Sequence, residues 1–166
     1  MAVYWITGLS GAGKTTIGLE LYKSLKSSLS NIVFLDGDEL RQIMGGNFGY
    51  ELSERKKLAF SYAKLSKMLS EQGIDVIIAT ISMFNDVREW NRANVNNYFE
   101  IYIKVPLEIL LERDQKNIYS QNEKNVVGFN VLMEEPLNPD IVVMNEGVKS
   151  PKEIVADLIT DLFSEE

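Results

Sequence analysis

The stretch "GLSGAGKTT" (8–16) decides the fold of this chain. It matches the pattern G-x-x-x-x-G-K-[ST], with Gly8, Gly13, Lys14 and Thr15 at the fixed positions. An apolar run, "VYWIT" (3–7), precedes it, and a helical pattern follows. Glycines let the backbone turn tightly so that successive N–H groups converge, and the N-terminus of the next helix adds partial positive charge. The stretch therefore predicts a strand, a phosphate-binding loop and a helix.

The same loop predicts the ligands. Lys14 is expected to reach the β- and γ-phosphates of a nucleotide, and Thr15 to offer its hydroxyl to Mg²⁺. We expect ATP or GTP, with ATP as the default, together with Mg²⁺. The alternative is a glycine-rich strand-to-helix turn that binds nothing, which the flanking strand and helix disfavour. The predicted contact residues are Gly8, Ser10, Gly11, Ala12, Gly13, Lys14, Thr15 and Thr16.

Apolar runs alternate with helical patterns along the rest of the chain, which is typical of a parallel sheet with helices on both faces. We predict a single α/β domain over residues 1–166, with the three-layer fold of P-loop nucleoside kinases and a five-stranded parallel sheet. Strands are expected at 3–7, 32–36, 75–80, 99–105 and 140–144. Helices are expected at 14–28, 39–44, 53–72, 85–95, 106–116 and 151–163.

Two helix starts and one irregular segment carry further expectations. Ser53 is expected to cap the helix that ends at Gly73, and Ser150 to cap the last helix, with Pro151 at its first position. Residues 115–139 are mostly polar and contain two aromatics, a glycine and two prolines. A long irregular segment in a compact domain is usually functional, so we interpret it as a lid; a solvated insertion is the alternative.

Composition narrows the possible functions. The chain has 166 residues and a net charge of −7, which argues against a nucleic-acid polymer as partner. It contains neither cysteine nor histidine, so disulfides, thiolate or imidazole zinc sites and histidine-based triads are impossible. Any general base must be Asp, Glu, Lys or Tyr. The sequence shows no membrane span and no signal peptide, and we expect a cytoplasmic protein.

A second stretch, "VFLDGDEL" (33–40), places Asp36 and Asp38 where a predicted strand ends. Residues two apart on a strand point to the same side, so we expect the two carboxylates to project together. A hydroxyl that attacks a phosphorus atom must lose its proton, and a carboxylate is the obvious acceptor in a chain without histidine. We therefore predict Asp36, Asp38 and Lys14 as catalytic residues. The alternative for Asp38 is that it only caps a helix starting at Glu39.

At this point a family resemblance becomes specific. The chain resembles the adenylyl-sulfate kinases, which phosphorylate the 3′-hydroxyl of adenosine 5′-phosphosulfate. The matching pieces follow the family's order and span nearly the whole chain. They are "WITGLSGAGKTT" (5–16), "LDGDELR" (35–41), "FGYELSERKK" (48–57), "LERDQKNIY" (111–119), "VVGFN" (126–130) and "PLNPDIVV" (136–143).

The resemblance implies that Asp36 and Asp38 contact the acceptor ribose and act in proton transfer. It implies that Arg41 and Arg55 hold the phosphate-linked group of the acceptor, which suits guanidinium geometry. Most arginines are solvated, so an exposed helical position is the alternative for both. The resemblance also implies a homodimer, although no pattern in the chain indicates one.

Four more roles follow from the resemblance or from the residue types. Tyr50 and Phe129 would sandwich the acceptor base, since a flat base needs aromatic faces. Lys116 would neutralise transferring charge, and Arg113 would lie near the donor nucleotide. A tyrosine that merely anchors its loop is the alternative for Tyr50.

The chain departs from the family pattern on the acceptor side. Where the family usually reads like "ISPYR", this chain reads "ISMFNDVREWNR" (81–92), so that Asn85 replaces the arginine and Arg88 is the next basic residue. Leu58, Phe60 and Ser61 stand where the family usually has an asparagine and further arginines. We expect the apolar replacements to pack against a neighbouring helix. They also remove contacts that adenylyl sulfate would use, which points to a changed acceptor.

The sequence therefore leaves several functions open. The default is an ATP- and Mg²⁺-dependent kinase for adenylyl sulfate. A divergent member of the same family acts on cytidine diphosphoramidate in surface-polysaccharide modification and is the first alternative. A gluconate- or shikimate-type small-molecule kinase and a nucleotide-binding module without catalysis are the others.

Overall fold

The computed structural model describes residues 1–44, 49, 51–113 and 134–164. Its strands form one parallel sheet in the order β2-β3-β1-β4-β5. They are β1 (Val3–Thr7), β2 (Ile32–Asp36), β3 (Asp75–Ala79), β4 (Tyr98–Lys104) and β5 (Ile141–Met144). The central strand β1 pairs with β3 on one side and β4 on the other, with Val3 opposite Val76 and Tyr98. This confirms the predicted five-stranded parallel sheet.

Six helices complete the described part of the chain. They are α1 (Lys14–Lys26), α2 (Gly37–Met44), α3 (Leu52–Glu71), α4 (Asn85–Asn94), α5 (Leu107–Arg113) and α6 (Pro151–Phe163). Five of them begin within one residue of the expected start, because the strand–turn–helix alternation fixes where each helix can begin. The exception is α2, which begins two residues earlier than expected.

The two predicted helix caps have different outcomes. Ser150 caps α6 as expected: its side chain accepts a hydrogen bond from the Glu153 N–H, and the Glu153 carboxylate accepts from the Ser150 N–H at 2.8 Å. The prediction for Ser53 is wrong. Helix α3 begins at Leu52 with Glu51 at its N-cap, so Ser53 already lies inside the first turn.

Helices cover both faces of the sheet, which is why the central strands are apolar on both faces. On β1, Ile6 packs with residues of α1 and α6 such as Leu21 and Leu158. Its neighbour Trp5 points to the other face, toward Leu58 of α3 and Val87 of α4. Successive side chains of β1 thus point to opposite faces of the sheet and pack into two separate hydrophobic cores. This confirms the predicted three-layer architecture.

Within the described residues, no helix is long and apolar enough to cross a membrane. Of the predicted lid, only residues 134–139 belong to the described part of the chain, so the lid itself stays a prediction.

Candidate active site

The phosphate-binding loop leaves the carboxyl end of β1, in the centre of the sheet. Its first glycine is required by close approach: a Cβ on Gly8 would lie 2.5 Å from the Ile103 carbonyl oxygen of β4. The Lys14 ammonium donates to the Leu9 carbonyl at 2.7 Å and so spans the loop. Backbone N–H groups and one cation therefore gather at the N-terminus of α1, which is an arrangement suited to phosphate.

Strand β2, which is separated from β1 by β3, brings Asp36 to this loop. The Thr15 hydroxyl donates to Asp36 Oδ2 at 2.6 Å, and Asp36 is largely buried. The other carboxylate oxygen accepts from the backbone N–H groups of Asp38, at 2.8 Å, and Glu39, at 3.3 Å. Asp36 thus connects the phosphate-binding loop to the start of α2, with three donors on its two oxygens.

These contacts correct two expectations about the acidic pair. Strand β2 ends at Asp36 and α2 begins at Gly37, so Asp38 lies in the first helical turn and not beside Asp36 on a strand. It is also Asp36, and not Asp38, whose side chain caps this helix. The chain changes from strand to helix within one residue because the Asp36 carboxylate satisfies the first free N–H groups of α2.

Tyr62 of α3 supports the same turn and was missed in the sequence. Its hydroxyl donates to the Gly37 carbonyl at 3.1 Å, between the two aspartates, and its ring is buried. Burial raises the pKa of Tyr62 to about 12, and the negative charges of Asp38 and Asp36 add to this while Arg41 opposes it. The phenol therefore stays protonated and donating near neutral pH. A hydroxyl on the buried face of α3, between Leu58 and Ser66, is the signal that could have identified it.

A pair of hydroxyls lies against the same glycine. Thr80 Oγ1 and Ser82 Oγ are 2.8 Å apart at the end of β3, and both side chains are buried. A Cβ on Gly37 would lie 3.0 Å from Thr80 Oγ1, which places this pair beside the acidic turn. Ser82 has a φ of 25°, an uncommon value for a residue with a side chain. Such strain is found preferentially at functional sites.

Of the predicted acceptor-binding residues, Arg41 and Arg55 fall in the described part of the chain. The Arg41 guanidinium on α2 donates to the Gly49 carbonyl. Arg55 lies in the first turn of α3, where its N–H donates to the Glu51 carbonyl at 3.0 Å. Tyr50, Lys116 and Phe129 lie outside the described residues, and their roles stay predictions.

A pocket opens on the side of the phosphate-binding loop that faces α6. Arg113, predicted near the donor nucleotide, lines it together with Gly11 and Gly13. The Arg113 guanidinium donates to the Asn145 carbonyl at 2.9 Å. Asn145 and Lys149, which the sequence did not single out, line the same pocket from the segment between β5 and α6. The pocket therefore lies between the phosphate-binding loop, Arg113 and the start of α6.

Arg88 does not take the place of the arginine that the family usually has at position 85. It is 3% exposed, and its Nε lies 3.5 Å from a carboxylate oxygen of Glu100 on β4. Its Nη2 donates to the Glu134 carbonyl at 2.6 Å and to the side chain of Asn85. Burial lowers the pKa of Arg88, and the charge of Glu100 opposes that change. This cation is part of a buried ion pair.

The replaced positions on α3 also pack internally. Leu58 is buried, and the Phe60 ring meets the Trp90 ring of α4 edge to face, with centroids 6.4 Å apart and planes at 84°. The Ser61 hydroxyl donates to the Lys57 carbonyl of its own helix at 3.1 Å. The apolar replacements thus join α3 to α4, as the packing interpretation predicted.

Fold and site together define a P-loop kinase: a parallel sheet with a phosphate-binding loop at its centre, and an acidic pair formed by Asp36 at the end of β2 and Asp38 in the first turn of α2. The profile of the adenylylsulphate kinase family matches residues 1–144. The chain belongs to this family, whose members transfer phosphate to a hydroxyl group.

Three relatives place the chain within the family. It is 42% identical to the cytidine diphosphoramidate kinase of Campylobacter jejuni over 96% of this chain and 95% of that one. It is 37% identical to a probable adenylyl-sulfate kinase of Archaeoglobus fulgidus, over 85% and 94%. The structure of a Mycobacterium tuberculosis APS kinase in complex with AMPPNP and APS matches with a TM-score of 0.87 at 25% identity, over 97% and 96%.

Proposed function

We propose that the protein transfers the γ-phosphoryl group of ATP to the ribose 3′-hydroxyl of cytidine diphosphoramidate. The observation that carries this proposal is the 42% identity to a cytidine diphosphoramidate kinase across nearly the full length of both chains. The probable adenylyl-sulfate kinase of Archaeoglobus fulgidus is 37% identical and covers 85% of this chain. This reverses the order that the sequence alone favoured, in which adenylyl sulfate was the default.

The packing of α3 supports the changed acceptor. The family's usual polar and cationic side chains at positions 58 and 60 are replaced by Leu58, which is buried, and Phe60, which contacts Trp90. At position 85, the side chain of Asn85 accepts from the buried Arg88. A pocket wall without these cations suits an acceptor that lacks the groups they would bind.

Thr15 and Asp36 fit a magnesium ion, because a hydroxyl and a carboxylate oxygen lie 2.6 Å apart beside the phosphate-binding loop and Mg²⁺ prefers oxygen ligands. In our proposal Thr15 would hold the ion, with Asp36 fixing the Thr15 hydroxyl. When bound, Mg²⁺ neutralises charge on the β- and γ-phosphates. Gly8, Ser10, Gly11, Ala12, Gly13, Lys14 and Thr16 would cradle the phosphates, and Arg113 would lie beside the donor.

We assign the proton transfer to Asp38. A carboxylate has about four acceptor sites, and Asp36 uses three of them for Thr15 and the start of α2, so it is poorly suited to take another proton. In the proposed step the 3′-oxygen forms a bond to the γ-phosphorus, the bond to the β,γ-bridging oxygen breaks, ADP leaves, and the hydroxyl proton goes to Asp38.

The remaining roles concern the acceptor. Arg41 and Arg55 would hold its 5′-diphosphate-derived group, Tyr50 and Phe129 would stack on its base, and Lys116 would offset transferring charge. Closure of the lid would exclude water, which would otherwise hydrolyse ATP.

Adenylyl sulfate is the second candidate acceptor, favoured by the match to the adenylylsulphate kinase family. A gluconate- or shikimate-type acceptor is disfavoured, because full-length similarity to a nucleotide kinase would not be expected of it. A module without catalysis is disfavoured because Lys14, Thr15, Asp36 and Asp38 are all present.

The test is a comparison of kcat/KM for cytidine diphosphoramidate, adenylyl sulfate and plain nucleoside mono- and diphosphates, with ATP and Mg²⁺ held saturating. We expect cytidine diphosphoramidate to exceed adenylyl sulfate by at least about 100-fold, the discrimination available from roughly 3 kcal/mol of differential contacts. A preference for adenylyl sulfate would contradict the proposal and indicate that the protein is an adenylyl-sulfate kinase. Failure to phosphorylate any nucleotide would leave the module without catalysis as the better description.

A further inference from the structure

Asn145, the residue after β5, makes a side-chain contact across the molecule to the phosphate-binding loop. Its amide Nδ2 donates to the Ala12 carbonyl oxygen at 2.8 Å. Ala12 is fully buried, with 0% of its surface exposed. The contact therefore supplies a donor to a loop carbonyl at a residue that is shielded from solvent.

The direction of this carbonyl matters for phosphate binding. A loop that turns its N–H groups toward an anion must turn its carbonyl oxygens away from it, because a carbonyl oxygen would repel the phosphate. A buried carbonyl also needs a donor of its own, since leaving one unpaired destabilises the folded loop. The Asn145 amide holds the Ala12 carbonyl in this direction and supplies its donor. Ala12 lies immediately before Gly13 and the start of α1.

The amide is fitted closely to the loop. A Cβ built on Gly13 would lie 2.7 Å from Asn145 Nδ2, so the amide occupies the space that a side chain at position 13 would need. Gly13 also has a φ of 94°, in the region that favours glycine. The absence of a side chain at this position therefore serves both the turn and the contact with Asn145.

The backbone of Asn145 is held at the same time from two other elements. Its N–H donates to the Lys104 carbonyl at the end of β4, at 3.0 Å, and its carbonyl accepts from Arg113 of α5. Arg113 and Asn145 both line the pocket beside the loop. One residue thus joins the phosphate-binding loop, the sheet and the helix that presents Arg113.

We propose that Asn145 is a positioning residue of the donor site: its amide orients the Ala12 peptide so that the loop accepts the phosphates of ATP, and its backbone fixes Arg113 beside them. This proposal rests on the proposed use of ATP. It predicts that the side chain acts on nucleotide affinity and leaves the acceptor side unchanged.

The test measures AMPPNP affinity by calorimetry for the wild type and for Asn145→Leu, which keeps the size of the side chain and removes its donor. We expect AMPPNP to bind at least about tenfold more weakly to the variant, a change of roughly 1.4 kcal/mol. The KM for ATP should rise similarly, while the acceptor KM stays within about twofold. Asn145→Thr, which keeps a donor, should recover part of the affinity and serves if the leucine variant does not fold.

Asn94→Ala is the matched control, because the Asn94 amide also donates to a backbone carbonyl at 2.8 Å, that of Trp90, on an exposed part of α4. Nucleotide affinity should be unchanged in this control. If folded Asn145→Leu binds AMPPNP within about twofold of the wild type, the proposal is overturned. The same holds if threonine binds no better than leucine. Absence of AMPPNP binding by the wild type would instead overturn the use of ATP itself.

Discussion

The Thr15 hydroxyl and the Asp36 carboxylate lie 2.6 Å apart and join the phosphate-binding loop to the carboxyl end of β2. The same carboxylate caps α2, whose first turn contains Asp38. Asp36 therefore fixes both the residue proposed to hold Mg²⁺ and the helix turn that carries the proposed base. This relationship separates the two aspartates by role and leads to the first prediction.

Replacing either aspartate by asparagine should impair the reaction in a different way. Asp38→Asn should lower kcat by about 10²–10⁴-fold, the usual contribution of a general base, and leave AMPPNP affinity within about twofold. Asp36→Asn should weaken the response to Mg²⁺ and lower stability, because the contacts to Thr15 and α2 change. The measurements are steady-state kinetics against Mg²⁺ concentration and calorimetric binding. Equal loss of kcat in both variants with unchanged Mg²⁺ dependence would argue against this division of roles.

Tyr62→Phe removes the hydrogen bond to the Gly37 carbonyl while keeping the ring in the core. We expect a loss of about 0.5–1.5 kcal/mol in the free energy of unfolding at neutral pH, measured in urea. Loss of acceptor affinity should accompany it, because the Gly37 turn carries the acidic pair. A variant as stable as the wild type would show that the hydroxyl contributes nothing to this turn.

Stability should fall at high pH. The pKa values of Tyr4, Tyr62 and Tyr102 are each raised by burial to about 12, above the unfolded value of 10.0. Because the folded state holds these protons more tightly, their contribution is complete below pH 10 and is lost as pH rises toward 12. Urea unfolding at intervals from pH 8 to 12 measures this, and Tyr62→Phe should show a shallower decline. A flat profile across that range contradicts the assigned burial.

Arg88→Met should destabilise the fold, because it removes the buried partner of the Glu100 carboxylate and leaves the contact at 3.4 Å to Arg92, whose side chain is partly exposed. Breaking a buried ion pair costs about 3–5 kcal/mol, whereas Lys67→Ala, which removes an exposed pair with Glu71 on α3, should cost less than about 1 kcal/mol. Chemical denaturation of both variants provides the comparison. Similar losses in the free energy of unfolding of the two variants would show that burial does not make the Arg88–Glu100 pair more important for stability than an exposed pair.

Phe129→Ala tests the predicted stacking on the acceptor base. Base–aromatic stacking contributes about 1–3 kcal/mol, so kcat/KM for the acceptor should fall by roughly 5- to 150-fold while the KM for ATP stays unchanged. An acceptor without a base would hardly respond to this change. Unaltered kinetics would therefore favour the sugar-type alternative.

Much of the fold was predictable from the sequence. The apolar runs located all five strand starts to within one residue, since a strand covered on both faces must be apolar throughout. The start of α2 was not predictable from periodicity, because it depends on the Asp36 carboxylate accepting from the N–H groups of Asp38 and Glu39. The prediction that Ser53 caps α3 was wrong for a similar reason. A serine near a helix start is common, and only the backbone conformation decides which residue precedes the helix.

The site residues that belong to a local sequence motif were predictable. Those that join the site through contacts between distant segments were not. Lys14 and Thr15 follow from one short pattern, and Arg113, predicted near the donor nucleotide, lines the pocket beside the phosphate-binding loop. Tyr62 is 25 positions from its partner Gly37 in the sequence, and Asn145 is 133 positions from its partner Ala12. Single-sequence patterns do not reveal such long-range hydrogen bonds.

The central claim is phosphoryl transfer from ATP to a ribose 3′-hydroxyl, and matched deoxy acceptors test it most directly. Wild-type protein is supplied with ATP, Mg²⁺ and either the 2′-deoxy or the 3′-deoxy form of cytidine diphosphoramidate, and product formation is followed by phosphorus NMR. The account predicts a new phosphomonoester with the 2′-deoxy acceptor and none with the 3′-deoxy acceptor. Phosphorylation of the 3′-deoxy acceptor, or of neither analogue when the parent nucleotide is also inert, would contradict it.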